Sequence, residues 1–152
     1  MRVFRFGPKR FAPDLEGLGA EKFGGRWNHV GTACIYASAT KSLAMLEYSA
    51  HLSLVNFKPE LVFTAYEIPD HTLLRHDLKN LPIDWNSIPA LKLTMDIGTN
   101  HFKSNPDSLG IIVPSIIIPD EFNYIINPLS TKFKSVRVLS VEDHTYDLRI
   151  KL

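Results

Sequence analysis

The chain carries a single cysteine, Cys34, in 152 residues. That excludes an internal disulfide and any zinc cage built from cysteines. Cys34 lies in the apolar run Thr32-Ala33-Cys34-Ile35-Tyr36, which predicts a buried, inert thiol. A surplus of either charge is also lacking, since 17 Lys+Arg against 16 Asp+Glu leave +1. Without a bulk positive field, direct nucleic-acid binding is not expected, although Arg2, Arg5, Lys9 and Arg10 cluster at the start. No stretch approaches the roughly 20 apolar residues that cross a bilayer. The first residues form no apolar signal core. A soluble, cytoplasmic protein with no membrane contact is the expectation. The six histidines show no HExxH or other tight ligand spacing, so no metal is expected. GxGxxG, P-loop and GxSxG segments are absent, which weakens dehydrogenase, NTPase and serine-hydrolase readings.

What is present is an ordinary globular composition, 45% hydrophobic and 22% charged. The length predicts one domain over residues 1–152, large enough to bury roughly 70% of its unfolded surface. Strands are expected at 2–6, 32–38, 61–68, 109–113 and about 135–141, with a short extended piece at 72–75 and a second apolar piece at 116–119. Residues 7–31 hold six of the eight glycines and read as a packed, irregular loop. Ser38 or Thr40 can cap a helix running to about Leu54, with Leu43, Glu47, Ala50 and Leu54 on one face. Ser87 can cap another, with Pro89 in its first turn, running to about Lys103 and weakened late by Gly98. Residues 123–128 read as a loop with apolar anchors, followed by a helical turn near 129–133. The mixture predicts an α/β or α+β fold with a mixed sheet and flanking helices.

Four residues stand out chemically. Arg26 follows Gly24-Gly25 and precedes Trp27-Asn28. Glycines allow close approach to the backbone, and the guanidinium fork suits phosphate or carboxylate. Glu47 sits in the apolar helix segment Leu43-Ala44-Met45-Leu46-Glu47, where a carboxylate is costly unless paired. Tyr36 ends a strand that feeds this helix. Ser115 follows Pro114 at the end of another. Asn127, before Pro128, reads first as turn chemistry. His29 and His51 lie near these residues, with solvated or structural roles expected.

In this order the segments resemble the RES domain. The resemblance rests on Gly24-Gly25-Arg26-Trp27-Asn28, Ile35-Tyr36-Ala37-Ser38, Leu43 to Glu47, Leu109 to Ser115, Asn123 to Pro128, and Asp147-Leu148-Arg149. It implies a fold like the ADP-ribosyltransferases and a toxin of a bacterial toxin–antitoxin pair. It further implies NAD+ as substrate, with no bound prosthetic group, and chemistry that degrades NAD+ or transfers ADP-ribose to a protein. The implied partner is an Xre-type antitoxin that covers the site. Arg26, Tyr36, Glu47 and Ser115 would be catalytic, and Arg26, Tyr36, Ser115 and Asn127 would contact substrate. Two other classes stay open: an RNase-type toxin, disfavoured by the near-zero charge, and a non-catalytic partner-binding domain.

Overall fold

The structure is a computed structural model that describes residues 1–12, 14–53 and 60–151. One mixed, seven-stranded sheet runs through it. Its strands are β1 (Arg2–Pro8), β2 (Ile35–Ser38), β3 (Leu61–Glu67), β4 (Leu73–Arg75), β5 (Gly110–Pro114), β6 (Phe122–Ile126) and β7 (Arg137–His144). They lie in the order β4-β5-β6-β2-β1-β3-β7. β4 and β5 are parallel, and the other neighbours are antiparallel. The helices are α1 (Leu18–Phe23), α2 (Lys41–His51) and α3 (Lys92–Ser104). The α+β class expected from the pattern is the one observed.

β3 shows why a strand forms: Leu-Val-Phe-Thr-Ala-Tyr is rich in β-branched and aromatic residues and is buried throughout. β1 lines up with it from Arg2 opposite Glu67 to Pro8 opposite Leu61. Side chains alternate across the sheet, so register decides which face each serves. Val3, Ile35, Ala37, Tyr66, Leu109 and Ile126 fill one face. The opposite face is covered in two halves. α2 packs its Ala44, Met45 and Tyr48 over Phe6, Phe63 and Leu61. α3, through Phe102, joins Trp27 and Trp85 over Ile111, Val113 and Ile125. Phe4 opposite Ser38, and Ser38 opposite Asn123, place Ser38, Tyr36 and Asn123 on this same face, where the two halves meet.

Several expectations are corrected. Residues 123–128 contribute a central strand, β6, hydrogen-bonded to β2 and β5 on either side. Two asparagines and a proline suggested a loop, but pairing on both edges outweighs low intrinsic β-propensity. Residues 116–119 are a turn, because the Ser115 hydroxyl captures the Ile117 and Ile118 amides. α3 starts at Lys92 rather than near Ser87. The stretch 7–31 contains the end of β1 and the short α1. β2 begins at Ile35, where pairing with Ile126 starts, and the backbone of Cys34 just before it packs on Gly17, where a Cβ would lie 2.7 Å from Cys34 N. Thr40 caps α2, accepting from the Leu43 amide at 3.0 Å. Ala50 is exposed, so it does not share the inward face with Leu43, and Leu54 lies outside the described residues. The last strand lies two to three residues later than expected, and the helical turn before it covers Phe133–Ser135.

Candidate active site

Arg26 occupies the tip of a tight turn closed by Gly25 N donating to Asn28 O at 3.0 Å. Asn28 is fully buried, and its amide nitrogen donates to the carbonyls of Ala20 (2.8 Å) and Thr32 (2.9 Å). Tyr36 anchors the turn from below. Its hydroxyl donates to Asn28 Oδ1 at 2.8 Å and accepts the Trp27 amide at 3.0 Å. The glycine before Arg26 now has a physical reason. A Cβ on Gly25 would sit 2.5 Å from the Tyr36 hydroxyl oxygen. The close approach that the glycine permits is therefore made by Tyr36. Burial pushes the Tyr36 phenol well above its ordinary value.

The turn also grips the segment before α3. Trp27 stacks on Trp85, with ring centres 6.2 Å apart. Arg26 Nη1 donates to the carbonyls of Trp85 and Ser87, each at 2.9 Å. Both Nη1 hydrogens are thus used, while Nε and Nη2 carry no hydrogen-bond partner among the described residues. Burial lowers the Arg26 guanidinium from its ordinary value, and the charges of Glu47 and Tyr36 oppose that.

Glu47 projects from α2 toward the ends of β5 and β6. Its Oε1 accepts the Ser115 hydroxyl at 2.7 Å and the Asn123 amide at 2.6 Å. Asn123 is itself held, since its Oδ1 accepts the Ser38 hydroxyl at 2.7 Å. Glu47 is half-buried, Ser115 fully buried and Ser38 nearly so. Buried carboxylates need such donors to offset lost hydration.

Four of the five sequence-predicted residues take part in these contacts, Ser115 with Glu47 and Tyr36 with the turn that bears Arg26. Asn127 does not. It follows the far end of β6, its amide bonded to Leu109 O, and its Oδ1 caps a turn by accepting Leu129 N at 3.0 Å. The turn chemistry expected of an Asn before a Pro is what its side chain performs here. Asn123 and Ser38 are the members that sequence reasoning missed. The signal was an amide beside an apolar Tyr-Ile-Ile run, which a loop assignment concealed. His29 does not line the site either; its Nε2 lies 2.6 Å from Asp96 Oδ1 on α3. Cys34 is buried, and burial pushes its thiol up to about 12. A separate surface groove of about 540 Å³, lined by His71, His101, Ser108 and Lys132 among others, lies toward the opposite end of β5 and contains none of Arg26, Tyr36, Glu47 and Ser115.

The geometry defines an α+β protein with a donor-held carboxylate on α2 and, on the turn after α1, an arginine with Nε and Nη2 unpartnered among the described residues. The RES domain family model matches residues 1–149, and the chain belongs to that family. It is 38% identical to a protein named Toxin Res from Yersinia enterocolitica, over 99% of this chain and 100% of that one. It is 35% identical to the Prs ADP-ribosylating toxin of a Sphingobium species, over 91% and 88% of the two chains. In fold it is similar to a chain of the M. tuberculosis MbcT-MbcA toxin-antitoxin complex, with TM-score 0.76 and 16% identity over 95% of this chain and 84% of that chain.

Proposed function

We propose that this protein is the toxin of a bacterial toxin–antitoxin pair and that it cleaves NAD+ at the nicotinamide–ribose bond. The observation that carries the proposal is Glu47, held by two donors on one oxygen, together with an Arg26 whose Nε and Nη2 have no partner among the described residues. Breaking the ribose C1′–N bond sends its electron pair to nicotinamide, which leaves neutral. Positive charge develops on the ribose, as in glycoside cleavage. A fixed anion beside that charge lowers the barrier, because it need not reorganise as the charge forms. Glu47 supplies that anion through Oε2, and Arg26 holds the pyrophosphate with its remaining fork. Tyr36, half-buried, orients the nicotinamide end with its ring. Water or phosphate then adds to C1′ and releases its proton to solvent.

Incubation with NAD+, followed by chromatography of free nicotinamide, tests this. Release by wild type is the expected result, and intact NAD+ with correctly folded protein would refute it. Mass analysis with and without phosphate separates hydrolysis from phosphorolysis. A second reading, transfer of ADP-ribose to a protein, is favoured by the relative named an ADP-ribosylating toxin. Labelled NAD+ in a cell extract would then mark a protein band. The antitoxin partner is supported by the fold likeness to a chain of a toxin–antitoxin complex, and an Xre-type protein encoded beside this gene is the partner to test.

A further inference from the structure

The hydrogen bonds around Glu47 are unequal. Both donors, Ser115 Oγ and Asn123 Nδ2, reach the same oxygen, Oε1. Among the described residues, Oε2 accepts nothing. The Ser115 hydroxyl has also used its whole capacity. It donates to Glu47 and accepts the amides of Ile117 (3.0 Å) and Ile118 (3.2 Å). A hydroxyl has one donor and two acceptor positions, so none remains for a ligand. Asn123 keeps this orientation because turned over its oxygen would face the carboxylate, whereas as it stands Nδ2 donates to Glu47 and Oδ1 accepts the Ser38 hydroxyl.

We propose that Asn123, locked by Ser38, is a positioning residue that works with Ser115 to hold Glu47 by Oε1, so that Oε2 alone meets the substrate. This rests on the reading of Glu47 as the carboxylate that faces the ribose. The chain Ser38–Asn123–Glu47 crosses from β2 to β6 to α2, so it fixes the helix-borne carboxylate to the sheet at the atom that is not used. Ser115 closes it from β5. Neither Asn123 nor Ser115 is then a substrate ligand, and their effect on turnover passes through Glu47.

The test is steady-state kinetics of nicotinamide release for Asn123→Ala and Asn123→Asp, with melting to confirm folding. For Asn123→Ala, kcat is expected to fall about 10- to 100-fold, the cost of a misplaced catalytic group, with KM within about threefold. In a Glu47→Gln background, Asn123→Ala should cause no further loss. Asn123→Asp should be poor near pH 8 and recover relative to wild type toward about pH 5.5. There the introduced carboxyl regains a proton that it donates to Oε1. Arg26, the charged group facing Glu47, keeps its charge throughout that range. A raised KM with unchanged kcat, an additive loss in the Glu47→Gln background, or a pH-independent ratio for Asn123→Asp would each overturn the proposal. If wild type leaves NAD+ intact, the proposed function fails, and crystal structures decide the positioning separately. Glu47 should rotate or split in Asn123→Ala, and an unmoved carboxylate would overturn the proposal.

Discussion

Ser115 and Glu47 are joined across 68 residues of sequence by a hydroxyl-to-carboxylate bond of 2.7 Å. The same hydroxyl closes the turn after β5, so one side chain serves the fold and the carboxylate together. Substitutions at the two ends should therefore separate. Ser115→Ala removes a buried hydroxyl that is the acceptor for the amides of half-buried Ile117 and Ile118 and a donor to Glu47. It should destabilise by about 1–3 kcal/mol and also slow nicotinamide release. Glu47→Gln keeps the shape and should melt close to wild type while losing about 10²- to 10³-fold in kcat. Thermal melting beside turnover checks both. Equal damage to stability in the two variants would contradict the division.

How far the sequence predicted this site depends on the residue. Glu47 was visible because a carboxylate in an apolar helix needs a partner. Arg26 was visible because two glycines before a guanidinium mark a specialised turn. The partners were not visible. Asn123 is identified only by the register that sets it opposite Ser38, and register is a long-range property. Ser38 and Thr40 both suit a helix cap by residue type; Thr40 fills that role, and Ser38 bonds Asn123. β6 was missed for a related reason, since Asn-rich flanks carry local turn signals while strand pairing is settled by neighbours far away in sequence.

Gly98 carries a similar lesson. By propensity it only weakens α3, and alanine there would gain about 1 kcal/mol in an isolated helix. In the fold, a Cβ at this position would lie 1.9 Å from the carbonyl oxygen of Trp27. The glycine is the point where the Arg26 turn rests on α3. Gly98→Ala should therefore destabilise by about 1–3 kcal/mol, against the propensity scale, and should reduce turnover by shifting Trp27 and Arg26. Denaturant unfolding gives the sign directly. A more stable variant would mean that α3 and the turn are not in this contact.

Cys34 gives a pH dependence with a definite sign. Its thiol is pushed by burial from 9.0 up to about 12 in the folded protein. The unfolded chain releases this proton earlier, so it binds fewer protons than the folded state between those values. Stability from this group is complete below about pH 9 and is lost as pH rises toward 12. Unfolding free energy should decline with alkalinity in wild type, and Cys34→Ala should flatten part of that decline. Native protein should also resist iodoacetamide at about pH 8, where unfolded protein reacts. Rapid native alkylation would place the thiol outside the core.

In the proposed function Arg26 holds two kinds of partner at once, and the two can be separated. Nη1 is committed to the Trp85 and Ser87 carbonyls, while the remaining fork is assigned to an anionic group of the substrate. Arg26→Lys keeps a positive charge but loses the planar fork, so it cannot clamp two carbonyls and present a bidentate face together. Its KM for NAD+ should rise about tenfold or more, with a smaller change in kcat. Arg26→Ala should remove binding and also release the segment before α3. Amide hydrogen exchange over residues 82–91 should then quicken, because the cross-link that ties this segment to the turn is gone. If exchange is unchanged while KM rises, Arg26 serves substrate alone. If exchange quickens while KM stays fixed, Arg26 is only a structural clamp, and the anion-holding part of the proposed function is wrong.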